Sequence, residues 1–181
     1  MRLETERLVL RKPEPGDVDD YAEIWADPEV MRFLGGRTLT REEVAGGIDR
    51  MLGQWDRHGV GLFSVIRKED ERLVGRVGYL LWDDERWVNA MSEELEDPLE
   101  MEIGWIVGRR FWNQGYATEA AVACRDHAFG PLGRDRIISL IAAENVASIR
   151  VSEKIGERYE RDVEIMVGPV GVYSLENGPA R

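Results

Sequence analysis

The sequence predicts an α/β fold (α+β in its segregation of helices and strands) organised as one domain, and three observations carry that reading. A chain of 181 residues is long enough for one full core and too short for two comfortable ones. Its 43% hydrophobic and 33% charged content is ordinary for a soluble globular protein. Period-two and helical apolar patterns alternate along it in the order strand, two helices, hairpin, strand-loop-helix, strand, helix, hairpin. The domain is expected to span residues 1–181, with an ordered core from about 5 to about 175.

Taken in order, Arg7 to Arg11 alternates charged and apolar residues as an edge or half-buried strand does. Pro13 and Pro15-Gly16 end it, and Asp17 is placed to cap a helix with Val18, Tyr21, Ile24 and Trp25 on one stripe. Asp27-Pro28 stops that helix before a short turn through Val30 to Leu34. Thr40 with Glu43 forms a capping box for a second helix, through Val44, Ile48, Met51, Leu52 and Trp55. A hairpin follows: Gly61 to Arg67, the polar turn Lys68 to Glu71, then Arg72 to Leu80, where Gly75 and Gly78 admit a bulge or a close neighbour. Asp83 to Glu100 breaks the pattern with eight acidic residues against one basic, Arg86, and reads as a long loop over one edge. Trp82 and Trp87 beside it are available for an apolar pocket or a dimer contact.

Glu102, Ile103, Trp105 and Val107 then form a short strand, Gly115 breaks it, and a helix follows. Ala117, Ala120, Ala121, Cys124 and Ala128 give that helix a face of small residues that can approach a sheet closely, and Gly130-Pro131 stops it. Asn113-Gln114-Gly115 leaves main-chain N–H groups unhindered ahead of the helix dipole, an arrangement suited to a phosphorylated anion, although an ordinary strand-to-helix connection reads the same way. Arg136 to Ile141 is an apolar strand buried on both faces. Asn145 caps the helix Val146 to Ile155, which Gly156 closes. Tyr159 to Val167 and Val170 to Leu175 make a closing hairpin, with fraying expected from Glu176 onward.

Several functional classes are disfavoured. Neither G-x-x-x-x-G-K-[ST] nor G-x-G-x-x-G after a strand occurs, which argues against a nucleotide triphosphatase or a dinucleotide dehydrogenase. A net charge of −11 argues against nucleic acid. One cysteine permits no internal disulfide, and Cys124 on the small-residue face reads as a buried structural thiol. His58 and His127 have no ligand-spaced partners, so no metal site is expected. Apolar runs are far short of the ~20 residues that span a bilayer, and the charged N-terminus lacks a signal-peptide core, so no membrane role and a cytoplasmic location are expected.

Three segments together resemble the GNAT superfamily of acyl-coenzyme A N-acyltransferases: Thr5 to Arg11, Trp112 to Ala120, and Asn145 to Gly156. More narrowly they resemble the branch of the ribosomal-protein N-terminal acetyltransferases RimJ and RimL, with Asp27 to Met31 adding support. The resemblance implies a mixed, mostly antiparallel central sheet with splayed central strands and about four helices. It implies an acetyl-CoA-dependent N-acetyltransferase acting by direct attack in a ternary complex, as a monomer or homodimer; the alternative is a non-catalytic coenzyme A-binding protein of the same fold. Trp112, Gln114, Gly115, Tyr116, Ala117 and Thr118 would hold the coenzyme A pyrophosphate. The main chain of Trp105, Ile106 and Val107 would pair with the pantetheine arm. Asn145 would contact its amides, and Ser148 would lie near the thioester sulfur. Two departures stand out: Asn113 occupies a position where the branch usually has glycine, and Ser152 stands where many members have a general-acid tyrosine.

Glu102 is the candidate general base because its strand should hold the thioester, with Glu100 on the same face as the reserve. Ser148 is the candidate proton donor to the leaving thiolate; alternatively it bonds its own backbone in the first helical turn. The main-chain N–H of Ile106 or Val107 is a candidate oxyanion donor. The acidic Asp83 to Glu100 segment favours a cationic acceptor, either a basic peptide N-terminus or a small polycationic amine.

Overall fold

In the computed structural model, which describes residues 1–178, nine strands form one sheet: β1 (Arg2–Glu4), β2 (Leu8–Arg11), β3 (Leu62–Arg67), β4 (Leu73–Asp83), β5 (Val88–Asn89), β6 (Glu100–Val107), β7 (Arg136–Ile141), β8 (Arg158–Ile165) and β9 (Gly168–Glu176). The spatial order is β1-β2-β3-β4-β6-β7-β9-β8, with β5 pairing to the far end of β4. Every neighbouring pair is antiparallel except β6 and β7. Those two parallel strands are joined through the helix α4 (Tyr116–Phe129).

The remaining helices are α1 (Val18–Trp25), α2 (Pro28–Met31), α3 (Arg41–His58) and α5 (Val146–Ile155). The count is five where the sequence suggests about four. The addition is α2, a single turn opened by Pro28 and capped by Asp27, whose carboxylate accepts from the N–H of Glu29 at 2.9 Å.

Each face of the sheet carries its own core. Ala120, Ala121, Cys124 and Ala128 are fully buried, so α4 lies close against Tyr79, Met101, Ile103 and Ile137. With no space there for a larger side chain, Ala120→Leu would overpack this contact at a cost of about 1–3 kcal/mol. On the opposite face, α1 and α3 bury Tyr21, Trp25, Ile48 and Met51 against Leu62, Leu73 and Ile106. The capping box is present as expected, with Thr40 N–H to Glu43 at 2.9 Å and Glu43 N–H to the Thr40 hydroxyl at 3.3 Å.

Four expectations are corrected. Asp17 does not cap α1: Arg11 holds its carboxylate at 2.6 and 2.9 Å, the Ser64 hydroxyl donates to it, and it accepts the N–H of Glu14. A short strand, Arg2–Glu4, precedes the first one read from the sequence. The segment from Asp83 to Glu100 is only partly loop, because β4 continues to Asp83, β5 folds back on it, and Glu100 already belongs to β6. The tail does not fray at Glu176: Arg136 pairs with Glu176 at 2.8 Å, and the Asn177 N–H donates to Asp135 O at 2.7 Å. Residues 179–181 lie outside the described part of the chain.

Candidate active site

β6 has eight residues and β7 six, yet they share one register pair, Glu102 with Ile138. Beyond that pair the strands part, which is the splay the resemblance implies. The Ser139 hydroxyl pins the fork by donating to Ile103 O at 2.8 Å. Main-chain groups alternate sides along a strand, so Ile103, Trp105 and Val107 turn theirs toward the gap while Gly104 and Ile106 turn theirs toward β4. Gly75 confirms this, since a Cβ built there would lie 2.0 Å from Ile106 O. Ile106 therefore offers the gap no main-chain group, contrary to expectation; its side chain faces the α1 side instead. The free edge belongs to Trp105 and Val107. Of the Val107 groups, the carbonyl is already taken by the Trp112 indole N–H at 2.7 Å, leaving its N–H.

At the carboxyl end of β6 the chain turns into α4 through two left-handed residues, Asn113 at φ +60° and Gly115 at φ +84°. Asparagine at 113 is thus accommodated, because its side chain tolerates that region better than most. Among the described residues, no protein acceptor meets the N–H groups of Asn113 to Thr118. Six donors without a protein partner thus gather at the positive end of a 14-residue helix, the chemistry that receives a pyrophosphate. The Tyr116 side chain, by contrast, is buried against Phe111 and beneath the Arg7 guanidinium, so only its main chain is presented.

A brace that sequence reasoning missed holds this turn. Glu119 accepts the Thr5 hydroxyl at 2.5 Å, the Arg7 N–H at 2.9 Å and the Arg7 guanidinium at 2.6 Å, and Arg7 also donates to Gln114 O at 3.0 Å. Burial raises the pKa of Glu119, but these donors outweigh it and hold the carboxyl below its usual range. The joint presence of Thr5, Arg7 and Glu119 in the segments that carry the resemblance was the available signal.

Next to the gap lies a cleft of about 660 Å³ that gathers Glu102, Trp105, Ile106, Asn145 and Ser148. Val107, Trp112 and Gln114 to Thr118 lie outside it, along the strand end and the first turn of α4. Glu102 is buried; Trp82 donates its indole N–H to one carboxylate oxygen at 2.6 Å and Leu140 donates its N–H to the other at 3.4 Å. Burial pushes its pKa up to about 7, against the pull of those two donors and of the Arg76 charge. A carboxylate poised there exchanges protons near neutrality.

Asn145 caps α5, its side-chain oxygen accepting the Ser148 N–H at 3.2 Å, which leaves the amide NH₂ to donate. The Ser148 hydroxyl accepts the Trp105 indole N–H at 3.2 Å, so its own proton is directed elsewhere rather than held by the backbone. Ser152 is fully buried and bonds Ile149 O, out of reach of any ligand. Glu100, the reserve base, is committed to Arg136 at 3.0 Å, which also binds Glu160 and Glu176. Two further residues of the cleft were not read from sequence, Trp25 and Arg76, because only the packing of α1 on β4 brings them there.

Such a fork of parallel strands, followed by a donor-rich turn into a helix, is the framework of an acyl-coenzyme A transferase. The sequence profile described as "Acetyltransferase (GNAT) domain" matches residues 7–158, and the chain belongs to that family. It is 32% identical over 166 residues to an N-acetyltransferase of Bacillus licheniformis named p20, covering 90% of this chain and 86% of that one. A GNAT-family acetyltransferase from Bacillus anthracis superimposes with a TM-score of 0.78 at 27% identity, covering 98% and 99% of the two chains. The fold is also that of RimL, described as a ribosomal L7/L12 alpha-N-protein acetyltransferase in complex with coenzyme A, with a TM-score of 0.75 at 13% identity over 97% of this chain and 98% of that one. No helix among the described residues is long and apolar enough to cross a membrane, and none of their side chains cluster as a metal site would require.

Proposed function

We propose that this chain transfers the acetyl group of acetyl-CoA to a primary amine by direct attack in a ternary complex, with Glu102 as the general base. The observation that carries this reading is a buried carboxylate with a pKa near 7 in the cleft beside the parted strands. The N–H groups of Gln114 to Thr118 would bind the pyrophosphate, and the free edge of Trp105 and Val107 would pair with the pantetheine arm. The amine nitrogen attacks the thioester carbon, its proton passes to Glu102, and the carbon–sulfur bond breaks. The Val107 N–H would stabilise the oxyanion, and the free Ser148 hydroxyl would donate to the departing thiolate.

The acceptor follows from two lines of support. The likeness to RimJ and RimL favours a peptide N-terminal α-amine, whose pKa of roughly 8 asks less of a base than the 10.4 or so of lysine. The acidic segment before β6 favours a cationic amine, though Asp83 and Glu93 pair with Arg86, and Glu100 with Arg136. Thiol release from acetyl-CoA with a panel of amines tests the activity, and calorimetry with coenzyme A tests binding. A chain that binds coenzyme A and acetylates nothing would be the non-catalytic member instead.

A further inference from the structure

We infer that the acceptor amine carries its own anionic group, seated on Arg76, so that the substrate class is a small amino-carboxylate with an apolar body. This rests on the acetyltransferase reading and narrows it. It also departs from the cationic acceptor that the acidic segment alone suggests.

Arg76 lies on β4, four register positions along from the pair Leu80 and Glu102, on the same face of the sheet. Its guanidinium stacks over the Trp25 ring at 5.0 Å and lines the cleft. Among the described residues no carboxylate lies within 4.0 Å of it, and its one protein acceptor is the Met51 sulfur at 3.6 Å, a weak partner. Burial pulls its pKa down, and the charge of Glu102, felt across the cleft, only partly offsets that. A half-buried guanidinium without a counter-ion is costly, whereas the chain pairs most of its other arginines with carboxylates.

A second cation strengthens the case. Arg50 folds back over Gly46 and Gly47 of α3, its guanidinium nitrogens 3.5 and 3.8 Å from the positions their Cβ atoms would take, and it lines the same cleft. It raises the cost of charging Arg76 rather than relieving it. Two guanidiniums lining one cleft, neither of them in an ion pair among the described residues, form a receptor for an anion, and a carboxylate suits their planar donors. The buried indole N–H of Trp25, in that wall, also has no acceptor.

The rest of the cleft states the remaining chemistry. Glu102 leans over Gly104, where an added Cβ would sit 3.5 Å from its carboxylate oxygen, so the base faces the stretch of cleft leading to Arg76. An amine at Glu102 and a carboxylate at Arg76 put both charged groups on the Gly104 to Ile106 side of Glu102, and the body of the molecule then extends past Glu102 toward Leu80, Trp82, Trp87 and Met91, which line the same cleft. Those walls are apolar and aromatic, which selects against a polyamine.

Matched pairs of acceptors test this: phenylalanine against 2-phenylethylamine and tryptophan against tryptamine, with a carboxyl-amidated dipeptide beside them. The expected result is kcat/KM about 10- to 100-fold higher for the carboxylate member of each pair, the range a charge-assisted contact supplies. Arg76→Met should collapse that ratio toward one by raising KM for the carboxylate, Arg76→Lys should restore part of it, and the exposed Arg50→Ala, which has no fold to disturb, should reduce it partially. Equal or better turnover of the decarboxylated or amidated partners overturns the inference, as does a ratio unmoved in both Arg76→Met and Arg50→Ala. Binding of phenylalanine by calorimetry in the presence of coenzyme A separates the two claims. Saturable binding that Arg50→Ala weakens, with no thiol released from acetyl-CoA by any acceptor, leaves the anion seat standing and removes the transferase reading. No saturable binding and no turnover of the carboxylates removes the anion seat.

Discussion

On the proposed reading, the pyrophosphate half of the site is one continuous run of chain after β6, Asn113 to Thr118, and what it presents is main-chain N–H. Back along β6, the proposed acceptor half would take Trp25 from α1, Arg76 and Trp82 from β4 and Glu102 from β6, and what those residues bring to the cleft is side chains. The first half depends on local geometry and is indifferent to most side-chain identities. The second depends on packing between elements far apart in sequence, and there a single side chain decides the chemistry. Substitutions should therefore divide cleanly, moving either coenzyme A affinity or acceptor turnover.

The largest separation is expected for Glu102→Gln. Loss of a positioned base should lower acceptor kcat/KM by about 10²- to 10⁴-fold, while the Kd for coenzyme A, read by calorimetry, stays within a factor of about two because the binding turn lies elsewhere. Gly115→Val should do the converse. A β-branched residue at φ +84° strains the turn and displaces its donors, weakening coenzyme A binding by about 10- to 100-fold.

Glu119→Ala sharpens the comparison by attacking the brace rather than the donors. It releases Thr5 and Arg7 together, and KM for acetyl-CoA is expected to rise about 3- to 10-fold with a stability loss of about 1–3 kcal/mol in urea titration. Lys68 extends the same brace through its bonds to Thr5 O at 2.7 Å and Glu4 at 3.1 Å.

The smallest effect concerns Glu157, buried beneath the fork with one oxygen bonded to the Ser139 hydroxyl at 3.0 Å and the other without a partner. Burial, together with the nearby Glu102 charge, pushes its pKa up to about 8 despite the Ser139 bond. A carboxyl raised on folding binds its proton more tightly in the native state, so its stabilising effect is full below about pH 4, the unfolded value, and is lost as pH rises toward about 8. Glu157→Gln should consequently gain stability over the wild type between pH 5 and pH 8.5, seen as a Tm difference that grows by about 2–4 °C for each kcal/mol.

Local features were legible in the sequence because they are made by neighbours. The capping box of Thr40 with Glu43, the helix cap at Asn145, and the break at Gly115 before a helix each follow from residues within four positions, and the structure contains all three. The splay of β6 from β7 came only through the resemblance of whole segments. Asp17 misled because its carboxylate has a stronger partner in Arg11, a choice settled by the hydrogen-bonded chain of Arg11, Asp17, Ser64 and Tyr21 that no local pattern announces. Glu100 and Glu102 look alike by strand period, yet Arg136 claims one and Trp82 the other. Arg76 was invisible for the same reason: in sequence it is an ordinary strand arginine, and its lack of a counter-ion exists only in three dimensions.

The dependence of kcat on pH, measured with saturating acetyl-CoA and acceptor in the wild type and in Glu102→Gln, bears most directly on the role of the buried carboxylate. With Glu102 as the base, wild-type kcat should fall through a single ionisation below about pH 7, where the carboxylate takes up its proton, and the variant should be slow and without that limb. The same acidic limb in both proteins would contradict the account.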